Sequence, residues 1–184
     1  ENGLPIVTRD LPVLNAALES IKDDSCRNDA RFVIEGIQNL TSWAVKFYDA
    51  SGKFPEGVLA GSTYDLGNFD ECLNIGKYDT SGLNGKYCLG RVDASVPEDF
   101  KMQPGSIWEN FAKREKRYQD VIERLHWGIC VPASCGSDDV QEVVRTILEL
   151  AFGGTQLSLQ VTVDEKKCYT RQLPEVDRLD IAYV

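Results

Sequence analysis

Apolar residues recur along this chain in steps of three and four, and alternate with polar ones over three shorter stretches. Leu14, Leu18 and Ile21 follow Leu11 at helical spacing, with Pro5 and Pro12 framing the start, so a first helix is expected after an irregular lead over residues 1–10. Val33, Ile37, Leu40, Ala44 and Phe47 form one unbroken stripe. They predict a single long second helix that stops at Asp49-Ala50-Ser51-Gly52. Phe111, Tyr118, Ile122 and Leu125 place a third helix over 106–125. Ser137 caps a fourth, with Asp138 and Asp139 in the first turn, where the helix dipole favours negative charge, and Gly153-Gly154 ending it. Alternation predicts strands at 86–93, 125–131 and 157–163.

Four helices and three strands, not in βαβ order, predict an α+β fold dominated by helices, with a small antiparallel sheet. Between the second helix and the first strand, residues 50–86 carry seven glycines and little periodicity. A long irregular stretch inside a domain is usually functional or cross-linked.

The 184 residues suit one domain, and 42% hydrophobic content is enough for a real core. The formal charge of −9 repels phosphate backbones, which argues against a nucleic-acid partner. No stretch reaches the roughly 18–20 apolar residues of a membrane span. No signal peptide stands at Glu1, as expected of a processed or trimmed chain, and the ends read as cut from a longer protein.

Cys26, Cys72, Cys88, Cys130, Cys135 and Cys168 are even in number, widely spread and free of any C-x-x-C pair. That pattern fits three disulfides in an extracellular or lumenal compartment better than zinc or redox chemistry. Spacing favours Cys72–Cys88 as a local closure, leaving Cys130 and Cys135 to take Cys26 and Cys168 in an order left open. The sequon Asn39-Leu40-Thr41 adds an expected glycosylation site at Asn39.

Candidates for chemistry are few. His126 is the only histidine, so any Ser-His or Cys-His mechanism would run through it. There is no nucleophile elbow, no H-E-x-x-H, no phosphate-cradling glycine loop and no cofactor signature. The expected absences are a catalytic site, a metal and a cofactor. Asp65, Asp70 and Asp79 lie in the glycine-rich stretch without EF-hand spacing. Lys113, Arg114, Lys116 and Arg117 form the one concentration of positive charge, which reads first as a solvated helix face. Aromatic residues at helical spacing usually fill cores. A ligand cavity among these helices would draw on Trp43, Phe47, Trp108, Phe111, Trp127 and Phe152.

Three segments share an order as well as a composition: WAVKFYDASGKFPEGVLAGSTYDLGNFDECLNI at 43–75, GKYCLG at 85–90 and WGICVPASC at 127–135. Together they resemble the N-terminal extracellular domain of the nose-resistant-to-fluoxetine (NRF) family of invertebrate membrane proteins. The resemblance implies an extracellular domain over residues 11–169, with 170–184 as a linker toward a membrane region. It further implies a non-enzymatic module that binds or presents a lipid or drug-like ligand for an acyltransferase-like membrane partner in cis. The alternative is an extracellular protein-interaction or dimerisation module without a small-molecule ligand.

Overall fold

The computed structural model describes residues 5–53, 62–77, 81–95, 104–105, 124–154 and 158–171. Among them, five helices surround a four-stranded sheet: α1 (Pro5–Leu18), α2 (Asp24–Gln38), α3 (Ser42–Ala50), β1 (Tyr64–Asp65), α4 (Phe69–Asn74), β2 (Gly85–Ser95), β3 (Arg124–Pro132), α5 (Ser137–Phe152) and β4 (Ser158–Thr170). The class is α+β with helices predominating. The expected helix over 106–125 falls outside the described residues except at its end, where Arg124 and Leu125 already belong to β3.

The described part of the first helix begins at Pro5, so the irregular lead predicted over 1–10 is corrected over 5–10, and 1–4 lie outside the described residues. Proline at a first helical position forfeits nothing, because that N–H has no intrahelical partner anyway. Pro12 lies inside the helix instead of at its start.

The long second helix is two helices. Asp23 caps α2, its Oδ1 accepting from the Cys26 N–H at 2.8 Å. At the other end Leu40 takes a left-handed conformation, φ 53°. Its N–H donates to the Ile37 carbonyl and that of Thr41 to the Gly36 carbonyl, the paired bonds of a Schellman motif. The chain turns there, and α3 packs back on α2. The crossing is close because Gly36 lacks a Cβ, which would stand 2.5 Å from the Ala44 methyl.

The sheet runs in the order β1-β3-β2-β4. β2 pairs antiparallel with both β3 and β4, while two-residue β1 joins β3 in parallel, which makes the sheet mixed and not purely antiparallel. Alternation along the strands feeds two cores. On one face Cys88, Val92, Val161 and Val163 meet Leu18, Ile34, Val140, Val144 and Leu148 from α1, α2 and α5, together with Ile21 from the α1–α2 turn. On the other, Tyr87 and Cys130 meet Val33, Ile37, Ala44, Phe47 and Cys72 from α2, α3 and α4, together with Ile75 just after α4. α2 therefore serves both cores, and β3 and β2 lie between them.

The disulfides are Cys26–Cys135, Cys72–Cys130 and Cys88–Cys168, and no cysteine is free. The expected Cys72–Cys88 closure is not made. Cys88 faces the first core and Cys72 is buried in the second, so neighbours in sequence lie on opposite sides of the sheet. Cys168 stands across from Cys88 in the β2–β4 ladder, and Cys130 on β3 takes Cys72.

Candidate functional site

A cavity of about 520 Å³ runs between α1, α2 and α5 on one side and β3 on the other. Its walls are aliphatic, with Leu14, Ile34, Ile129, Val131, Val140 and Val144 prominent. That volume lies within the range of small-molecule sites.

Polar groups gather where α3 ends. Asp10, Tyr48, Ser51, Gly52 and Lys53 border the cavity there. The Tyr48 hydroxyl donates to Asp10 Oδ2 at 2.6 Å, tying α1 to α3. Lys53 Nζ lies 4.2 Å from the centroid of the Tyr48 ring and donates to the carbonyl oxygens of Tyr48 and Ser51, the latter at 2.8 Å. Loss of hydration lowers the Lys53 pKa, and the carboxylates of Asp49, Asp65, Asp10 and Glu71 oppose that shift.

Trp127 reaches across from β3, its Nε1 donating to the Gly52 carbonyl at 2.9 Å, while the Gly52 N–H donates to the Gly128 carbonyl at 2.7 Å. Ser51 Oγ donates to the Phe47 carbonyl and accepts from the Cys130 N–H. The turn after α3 is thus fastened to β3 by three bonds. A Cβ on Gly52 would come within 2.8 Å of Asp65 and of Trp127 Cδ1, so glycine is what lets these parts meet. At the far side of the cavity Asp139, 8% exposed, accepts from the backbone N–H groups of Lys22 and Asp23 and closes the α1–α2 junction onto α5.

A second, more polar cavity of about 460 Å³ adjoins the first and shares Ser51, Gly52 and Lys53 with it. Asp49, Asp65, Tyr64 and Gly67 complete its border.

Of the aromatic residues expected at a ligand site, Phe47 and Trp127 line the apolar cavity. Trp43 does not. It packs against Phe32 at 4.8 Å between ring centroids and lies over Gly36. Phe152 also misses the lining and packs against the first core at the end of α5. Trp108 and Phe111 lie outside the described residues, as do Asp79 and the basic run at 113–117. The lining aliphatics of α1 and α5 escaped notice because ordinary core residues have the same spacing. Gly52 and Lys53 belonged to a conspicuous segment, but their common wall appears only once β3 is folded against it.

His126 stacks on Tyr64 at 4.4 Å, and its Nδ1 is buried without a hydrogen-bond partner among the described residues. Burial foremost, then Lys167, Arg124 and Arg91, lowers its pKa, with Thr63 acting the other way. No group of three or more potential metal ligands occurs among the described residues, and no described helix is long and apolar enough to cross a membrane. Asn39 is exposed at the α2 C-cap, in the turn that Leu40 makes.

Residues 26–144 match the family model of the nose resistant-to-fluoxetine protein N-terminal domain. The chain is also 24% identical over 139 residues to nose resistant to fluoxetine protein 6 of Caenorhabditis elegans, an alignment covering 66% of this chain and 17% of that protein. No solved structure matches.

Proposed function

The chain belongs to the nose-resistant-to-fluoxetine family, and from that premise we propose that it is a non-enzymatic extracellular module that binds or presents a hydrophobic ligand, a lipid or a drug-like molecule. The ligand would be handed to an acyltransferase-like membrane region in cis. One observation carries this reading: the apolar cavity of about 520 Å³ between α1, α2, α5 and β3. A domain tied by three disulfides has little need for an unfilled apolar cleft for stability's sake, since lining atoms without neighbours lose dispersion contacts. A non-enzymatic role is supported by the position of His126, which stacks on a tyrosine. The disulfides fit an oxidising compartment, and the exposed sequon at Asn39 is open to glycosylation.

Native mass spectrometry of the purified chain, with organic extraction of whatever co-purifies, tests the proposal. A bound hydrophobic species, or one-to-one uptake of a fluorescent fatty acid or alcohol, is expected. A protein that is empty and ignores both fluorescent probes sinks it.

The second reading, a protein-interaction or dimerisation module, is favoured by a separate surface. Leu66, Phe69 and Tyr169 are exposed, and Phe69 meets Tyr87 and Tyr169 edge to face. Contiguous exposed apolar groups often mark contact sites. Light scattering that gives a monomer at all concentrations, with no change for Phe69→Ser, removes the dimer form of this reading.

A further inference from the structure

His126 does not line the apolar cavity, yet it helps to hold the segment that braces one of its walls. β1 pairs with β3 at two positions, Tyr64 opposite His126 and Asp65 opposite Trp127. The His126 N–H donates to the Thr63 carbonyl at 2.7 Å, and its ring stacks on that of Tyr64. Alternation sends Asp65 and Trp127 to the other face, where the backbone of Gly52 is packed against both. Farther along, the Asn68 N–H donates to the Ala50 carbonyl at 2.8 Å, and a Cβ on Gly67 would stand 2.5 Å from the Gly52 nitrogen. The stretch from Thr63 to Asn68 therefore braces the wall that Ser51, Gly52, Lys53 and Trp127 present to the cavity.

The ring of His126 is a poor place for a positive charge. Its Nδ1 is buried and meets no hydrogen-bond partner among the described residues, so an imidazolium N–H there would lack an acceptor. All four strands contribute groups around it. Tyr64 of β1 covers the ring, while Lys167 of β4, Arg124 of β3 and Arg91 of β2 act on it with positive charge. The nearby carboxylate of Asp93 is already shared by Arg91 at 2.9 Å and Arg124 at 3.1 Å. Asp65 belongs to the opposite face, beside Gly52. Burial first, then the three cations, lower the pKa of His126 against the bond to Thr63. The face of Tyr64 attracts a cation, yet that attraction still leaves the buried N–H without an acceptor.

We infer that His126 is a proton-operated latch on this wall: when it takes up a proton its ring leaves the stack for water, β1 comes away from β3, and the wall at Gly52 and Trp127 loosens. β1 can move by itself because it is two residues long and stands at the edge of the sheet, with Tyr64 exposed. The closed form holds the proton more weakly than the open form, in which the ring is hydrated. Acidification below about pH 6.5 therefore favours the open form, by at most about tenfold per pH unit, until the closed form takes the proton too. At neutral pH the wall stays shut. That mild acid thereby speeds ligand exchange rests on the reading of the apolar cavity as a ligand site; the opening itself does not.

Hydrogen exchange of the 184-residue chain, followed by NMR at about pH 7 and pH 5 and corrected for the intrinsic rate at each, tests the latch. Over that range the protection of the Gly52 and Asn68 N–H groups and of the Trp127 indole N–H should fall by about threefold to thirtyfold. Val144, in the middle of α5, should keep its protection within about twofold. His126→Gln should remove the fall. Lys167→Gln, at an exposed position, takes away one cation and should reduce it, which serves as the test if His126→Gln does not fold. Release of a bound fluorescent fatty alcohol should quicken over the same range in the parent chain and not in His126→Gln. Protection that ignores pH, an equal fall at Val144, or a fall undiminished in either variant overturns the latch. A local fall with alcohol release indifferent to pH overturns its control of the cavity. An alcohol that binds at neither pH overturns the ligand reading instead, and the exchange results alone then decide the latch.

Discussion

Removing the Cys72–Cys130 disulfide, as Cys72→Ala/Cys130→Ala, should destabilise the domain by about 3–4 kcal/mol. The bridge joins residues 58 apart in sequence. In an otherwise open chain, closing a loop of that length restricts the unfolded state by about 4 kcal/mol. Here the unfolded chain is already cross-linked by Cys26–Cys135 and Cys88–Cys168. Two further covalent routes of about 50 residues each then connect position 72 to position 130, through one bridge or the other. Parallel routes hold the two ends closer than one route does, so the effective loop is shorter and the entropic part falls to about 3 kcal/mol. Against that, both sulfurs are buried in the second core, so truncation leaves a small void that restores part of the loss. Urea unfolding under non-reducing conditions, followed by tryptophan fluorescence, gives the difference from midpoint and slope together, with m expected to rise because the less cross-linked unfolded chain exposes more surface. A loss below about 1 kcal/mol would refute the reasoning, because neither the loop nor the void could then be as described.

Leu40→Gly should stabilise the protein by about 1 kcal/mol, read as a higher melting temperature, because glycine takes the left-handed turn without a Cβ clash and the sequon is kept. Gly36→Ala should cost about 1–3 kcal/mol in the same assay, since the added methyl meets Ala44 at the α2–α3 crossing. His126 has a folded pKa below its ordinary 6.5, so the unfolded chain takes up the proton first. Its contribution to stability is whole above about pH 6.5 and is lost as the pH falls from there through the folded value, and His126→Gln should flatten that part of the pH–stability curve. Protein secreted from a eukaryotic host should lose one glycan's mass on treatment with peptide N-glycosidase, and Asn39→Gln should abolish that shift.

Periodicity located most of this fold because most of its elements are long. α5, β2 and β3 lie where alternation or helical spacing put them, within a few residues, and β4 starts where expected but runs on to Thr170, past the predicted end at 163. The join between α2 and α3 was invisible because Val33, Ile37, Ala44 and Phe47 keep helical steps across it and all enter the same core. One left-handed residue, Leu40, reverses the chain without breaking the stripe. β1 and α4 were missed for want of length, with two and six residues, too few to show a period.

The disulfide pairing was misjudged for a different reason. Closeness in sequence suggested Cys72–Cys88, but alternation on β2 sends Tyr87 and Cys88 to opposite faces. That alternation was already present in the sequence, whereas the face that Cys72 would meet depended on the placement of α4. The apolar cavity was legible only as a set of ordinary core residues. What distinguishes them is unfilled volume, which no spacing records.

The three bridges also set how far this domain can be drawn out if it is pulled. Unbridged, the chain from Cys26 to Cys168 could extend to about 500 Å at roughly 3.5 Å per residue. The bridges leave a far shorter covalent route, from Cys26 across to Cys135, back to Cys130, across to Cys72, on to Cys88 and across to Cys168, which is about 90 Å when fully drawn out. A domain that loses its packing under load would thus still act as a short leash, with its two ends held in reach of each other until a reductant arrives.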